Sequence, residues 1–160
     1  MEKKYEFTSE TKKIEDYLGE FHTLHRIKAL KDFGDVHKGD LGGWIEKEFN
    51  LCHEGTCWVY DNAEVYDYAR VTGDTMICGD AWISGSAYIC DNAKIYDDVQ
   101  VYDNAKVYGD AQVYDDVAIW GTAEVYGNAE VYGNAKVYGD AQVCGNARVE
   151  NGSIVDTAIV

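Results

Sequence analysis

The stretch Val101-Tyr102-Asp103-Asn104-Ala105-Lys106-Val107-Tyr108-Gly109-Asp110-Ala111-Gln112-Val113 repeats its own pattern every six residues. A period of six is neither the 3.6 of a helix nor the 2 of an unbroken strand. It suits a chain that makes a short strand, turns a corner and makes another. Working outward, every sixth residue from Val59 to Val155 is Val or Ile, seventeen in succession without an insertion. Counted from that residue, the fifth position is Ala in twelve of the seventeen hexads, small enough for the inside of a tight corner. The third and fourth positions pair Gly or Asp with Asn or Asp in most hexads, as in Gly127-Asn128 and Asp103-Asn104. These residues tolerate positive φ or bond their own backbone, so each hexad reads as strand plus turn.

Three such strands close a triangular coil of 18 residues, each stacking on the strand one coil earlier at the ~4.8 Å spacing of a parallel ladder. The interior is then a set of columns such as Val59, Ile77, Ile95, Val113, Val131 and Val149, in which β-branched side chains stack on their own kind. The Val/Ile-x-x-x-Ala-x register resembles the hexapeptide-repeat superfamily. That resemblance implies an all-β fold, a single-stranded left-handed parallel β-helix, over residues 51–160. The block Gly39-Asp40-Leu41-Gly42-Gly43-Trp44-Ile45-Glu46, followed by His53-Glu54-Gly55 and Cys57-Trp58-Val59-Tyr60, is also similar to the leading segment of uncharacterised bacterial and phage hexapeptide-repeat proteins.

Residues 1–50 do not follow the hexad and read as a small β cap. Lys4–Thr8 and Thr23–Leu30 are expected to be strands flanking a polar segment around Thr11–Glu20, and Gly34–Gly43 a glycine-rich loop. Such a cap protects the open backbone edge of the first coil. At the other end the apolar tail around Ile154, Ile159 and Val160 reads as a subunit contact, which predicts a homo-oligomer.

The net charge of −15 is uneven: residues 1–50 hold 9 Lys/Arg against 11 Asp/Glu, and the repeat holds 5 against 18. An acidic rod repels phosphate backbones, which argues against nucleic-acid binding along the repeat. No apolar run reaches the ~20 residues of a membrane helix, nor does the start read as a signal peptide. With five irregularly spaced cysteines, this predicts a cytoplasmic protein without a disulfide framework.

Members of the hexapeptide superfamily commonly carry a small residue at the second position. Here Tyr96, Tyr114 and Tyr132 stand on one face, Tyr102, Trp120 and Tyr138 on the second, and Tyr108 and Tyr126 on the third. They alternate with the buried Val/Ile and so point outward, either as self-stacking ladders or as an interface. The resemblance also raises acyl transfer and zinc hydration, both of which need histidine. All four histidines, His22, His25, His37 and His53, precede Trp58, and no coil is interrupted by a loop. Cys52, His53 and Cys57 lack the paired arms of a zinc site. Asp97, Asp98, Asp115 and Asp116 stack two acidic pairs at one corner, where the alternatives are solvation or a hard cation such as Ca2+. A small anion would be directed to His25, Arg26, Lys28 and Lys31. The reading is a non-catalytic binding protein, of phage type by its leading segment, that sequesters a small ligand or occludes a host protein. The alternatives are an acyltransferase-like enzyme, an acidic nucleic-acid mimic and a scaffold.

Overall fold

A computed structural model describes residues 2–159. The hexads form a parallel β-solenoid of three six-stranded faces, one of which three strands of the cap extend into a nine-stranded sheet. Among the described residues there is no α-helix, and no helix is long and apolar enough to cross a membrane. Strands β4 (Trp58–Val59), β5 (Glu64–Val65) and β6 (Arg70–Val71) open the three faces. Each pairs in parallel with the strand 18 residues on: Val59 with Ile77, Val65 with Ile83 and Val71 with Ile89. Between the strands, backbone N–H groups also donate to the coil that follows, as from Tyr60 to Ile77 O at 2.7 Å and from Asn62 to Gly79 O at 3.1 Å. Corners are therefore hydrogen-bonded from coil to coil, and the buried backbone is satisfied along the rod.

The inward column residues from Val59 to Val143 are 0% exposed, together with nearly all the Ala of the fifth positions. The third position is the turning point: Asp61, Asp67, Asp91, Asp97, Asp103 and Asp115 have φ between 52° and 63°, and Gly stands at the other such corners. This left-handed region is the conformation that Gly and Asp occupy most readily. Aspartate adds an acceptor there. Asp61, Asp91, Asp103 and Asp115 each accept the N–H of the Gly one coil on, at 3.1, 3.0, 3.2 and 2.9 Å.

The cap is a hairpin of β1 (Tyr5–Glu15) and β2 (Phe21–Ala29), continued antiparallel by β3 (Leu41–Ile45). Two expectations are corrected here. The polar segment Thr11–Glu20 is strand as far as Glu15, with a register shift between Phe7 and Thr11 and the turn confined to residues 16–20. Its polar sequence concealed it because β1 rests on ladder bonds to β2, and only Tyr5 in it is fully buried. Gly42 and Gly43 are strand residues, not loop. A Cβ on Gly42 would lie 2.7 Å from Trp58 Cζ2 and Val59 O, and one on Gly43 would lie 2.5 Å from Ala63 O. They are glycine because backbone and core approach too closely for any side chain. β3 pairs in parallel with β5, Trp44 opposite Glu64, and Leu51 bridges Val71, so the first coil already starts within residues 1–50.

The far end departs from the hexad. Val137 faces Ile154 rather than Val155, and Val143 faces Ile159, spacings of seventeen and sixteen residues. The turn at Glu150-Asn151-Gly152, with Gly152 at φ 89°, is one residue shorter than the corners before it. Keeping the hexad would have placed Val155 opposite Val137; with one residue fewer Ile154 takes that inward place, and Ile154 and Ile159 pack against the core half-buried. Val160, which the sequence placed in the terminal contact, lies outside the described residues.

Candidate functional site

The outward aromatics stack on one another. Tyr96–Tyr114–Tyr132 have centroid separations of 5.0 and 5.2 Å, Tyr102–Trp120–Tyr138 of 5.8 and 4.4 Å, and Tyr108–Tyr126 of 4.9 Å, all within 7° of parallel. Ring faces point along the rod and are occupied by neighbours, leaving edges and hydroxyls outside. Tyr108 Oη donates to Glu124 at 3.0 Å, which occupies the hydroxyl as well.

Within the rod, one coil interrupts the aromatic second positions on all three faces. At Cys78, Ser84 and Cys90 the second position is small, and the bulk moves to the other side of the inward residue, as Met76, Trp82 and Tyr88. Trp82 bridges the gap on its face, stacking between Tyr66 and Tyr102 at 6.5 and 5.5 Å. The hairpin tip leans over the same face, with Tyr17 against the Tyr102 ring at 5.2 Å and its hydroxyl donating to Asp103 at 3.1 Å.

His22 pins that tip. Its Nε2 lies 3.1 Å from Asp16 Oδ2, and its Nδ1 lies 3.2 Å from Glu46 Oε1 and 3.7 Å from Asp67 Oδ1. Burial by itself would lower the imidazole pKa, but the bonds to Asp16 and Glu46 and the charge of Asp67 outweigh it and raise it above its ordinary value. Burial alone would raise the Asp16 and Glu46 carboxyls; backbone N–H donors and His22 hold both below the usual range. Among the described residues, Asp16, His22 and Asp67 are the one group of three such side chains that converge closely. With both ring nitrogens facing carboxylates, this is a clasp that favours the protonated imidazole.

His53 is likewise engaged. Its Nδ1 accepts the Lys4 backbone N–H at 3.2 Å and its Nε2 faces Glu48 Oε1 at 3.1 Å, with the ring stacked on Tyr5 at 4.3 Å. A proton on Nε2 and a donor on Nδ1 leave no lone pair free for a general base. Cys57 is buried beside it and takes a bond from the equally buried Lys4 Nζ at 3.2 Å, while burial pushes the thiol pKa up. Lys4 Nζ also reaches Glu54 O and Gly55 O, so the pair fastens the first residues to the rod. All five cysteines are free.

The other residues singled out in the sequence are dispersed. His25 stacks on Phe7 at 4.6 Å, Arg26 donates to Gly42 O at 3.1 Å and covers Trp44, and Lys31 pairs with Glu2 at 3.1 Å. Lys28 is exposed on β2, beyond the register shift that follows Arg26. They form no common pocket. At the acidic corner, Asp97 accepts the Asp115 N–H at 3.3 Å and Asp115 that of Gly133 at 2.9 Å, so these carboxylates serve the backbone. The neighbouring Asp98 and Asp116 donate their own N–H groups to the coil that follows.

A recess of about 540 Å³ lies where the cap meets the third face. Glu48, Phe49, Leu51, Cys52 and His53 form one wall and Arg70, Thr72 and Tyr88 the other. Arg70 and Tyr88 are register partners on adjacent coils, and the Tyr88 hydroxyl meets Thr72 Oγ1 at 3.2 Å. The recess exists because Thr72, not an aromatic, occupies the second position beneath the 3-10 turn Glu48–Asn50. Sequence reasoning passed over Arg70, although the break in the aromatic column at Thr72 marked the place.

Comparison with known proteins concerns the rod. The YdcK β-solenoid repeat matches residues 99–115 and 141–156. An Escherichia coli (strain K12) protein named uncharacterized acetyltransferase YdcK is 48% identical over 42 residues, 26% of this chain and 13% of that protein's length. Both repeat matches lie beyond the recess. Residues 99–115 and 141–156 thus carry the YdcK type of β-solenoid repeat, in a chain whose hexads and coils are those of a hexapeptide-repeat-like β-helix.

Proposed function

We propose that this chain is a non-catalytic binding module, a stiff β-solenoid that holds a small ligand at the junction of cap and rod. The observation that carries the reading is Arg70. The repeat bears 5 basic against 18 acidic residues, yet Arg70 lines this recess with no carboxylate within ion-pair distance among the described residues. A concave, partly apolar pocket with a few convergent polar groups is the usual form of a small-molecule site.

Acyl transfer is the second reading, favoured by the printed name of the Escherichia coli relative. Against it stand the absence of histidine from the hexads and the engagement of both nitrogens of His53, the one histidine that lines the recess.

Native mass spectrometry of the protein purified gently from cells separates the two. A stoichiometric extra mass that vanishes on denaturation, and is absent from Arg70→Ala, is the expected result. A bare protein that consumes acetyl-coenzyme A in the presence of amine acceptors would replace the binding reading with the enzymatic one.

A further inference from the structure

Two exposed aromatic side chains line this recess, Phe49 (42% exposed) and Tyr88 (38%), and a third, Tyr68 (68%), stands beside Phe49. Elsewhere on the rod, aromatic faces are stacked away against their neighbours. Phe49 and Tyr68 lie 6.4 Å apart, nearly parallel, and the Phe49 ring has Arg70 at 6.0 Å and Lys47 Nζ at 5.7 Å. Solvent-exposed aromatic rings beside an arginine are the composition of binding hot spots, because both stack on planar groups and the guanidinium also pairs with an anion. The carboxylate on the rim, Glu48, is committed to Lys3 at 2.6 Å and to His53 at 3.1 Å, so it does not oppose a negative ligand as a free charge would.

We infer that the recess binds a planar ring carrying an anionic group, with the anion on Arg70 and the hydroxyls of Thr72 and Tyr88, and the ring against Phe49. The inference rests on the binding reading above and names its ligand class. The volume of about 540 Å³ falls within the range of small-molecule pockets. The rod's net charge sets the upper limit on size. A long polyanion must lie along the acidic faces, whereas a single compact anion reaches Arg70 with the more distant carboxylates screened beyond about 8 Å at physiological salt.

The test is isothermal titration calorimetry of the full chain with adenosine monophosphate and 2-naphthoate, beside their halves: adenosine and 2-naphthol, which have the ring without the charge, and inorganic phosphate and acetate, which have the charge without the ring. At least one ring-bearing anion is expected to bind tenfold or more tightly than either of its halves. Arg70→Gln and Phe49→Ala, both at exposed positions, are each expected to weaken it at least tenfold with an unchanged circular dichroism spectrum, and His25→Ala is expected to leave it intact. Halves that bind as well as the whole, variants that bind like the wild type, or no heat from either anion at millimolar concentration would overturn the inference. A native-mass ligand that depends on Arg70 but has no ring would overturn it while leaving the binding reading in place.

Discussion

Gly43 is a residue on which the joint between cap and rod depends. A methyl group there would press on Ala63 O at 2.5 Å and Val59 Cγ1 at 2.7 Å, both part of the first coil. Neither the carbonyl nor the buried valine has room to withdraw, so Gly43→Ala should destabilise by about 3 kcal/mol, the cost of an overpacked core. Urea denaturation should show a lower midpoint with an unchanged slope; a shift below about 0.5 kcal/mol would mean that β3 can slide on β5. This residue also shows how far composition misleads at single positions. Glycine in Gly39-Asp40-Leu41-Gly42-Gly43 reads as flexibility, and Gly39, at φ 96° with nothing near its missing Cβ, fits that reading. Gly42 and Gly43 mean the opposite, and only the surrounding atoms tell the two kinds apart.

Among the elements, the hairpin β1–β2 is the part whose attachment depends on charge. The sign follows from His22 and its partners. A raised imidazole pKa stabilises the folded state fully below the ordinary histidine value of ~6.5, and that contribution is lost as pH rises through the raised value. Lowered Asp16 and Glu46 pKa values stabilise above the ordinary carboxylate range of ~4, and that contribution is lost as pH falls through the lowered values. The clasp is therefore whole from about pH 4.5 to 6.5, by these reference values, and opens on both sides of that window. Hydrogen exchange of the turn amides, corrected for intrinsic rate, should show strongest protection there, and His22→Gln should flatten the alkaline side of the profile. A profile unaltered by that substitution would remove the clasp from the account. The rod's strands were legible in the hexads because burial and turn chemistry repeat together. The start of β1 was legible as Lys4–Thr8, but its second half was not, since Thr11–Glu15 alternates only between exposed and half-buried, and the ladder that holds it lies in β2. The recess was half legible: the missing aromatic at Thr72 stood in the sequence, but the 3-10 turn that roofs it came from outside the repeat.

For the whole molecule, coils contact only their neighbours, and stability is close to a sum over coil–coil interfaces. Duplicating residues 101–118 should add one coil, lengthen the rod by ~4.8 Å and leave the melting temperature equal or higher, as small-angle scattering and a thermal melt would show. Duplicating only residues 101–109 would set corners against strands and should lower it. The period that made the coil readable also hid its own end: Val155 keeps the six-residue beat in the sequence, while in space Ile154 takes the inward place opposite Val137. Finally, the ring columns have an optical meaning. Trp120 lies between Tyr102 and Tyr138, 5.8 and 4.4 Å away and within 2° of parallel. Chromophores at that distance share their excited states, so light absorbed by these tyrosines emerges from the indole. Tyrosine-sensitised emission from Trp120 therefore registers how the coils of Tyr102 and Tyr138 are seated against its own.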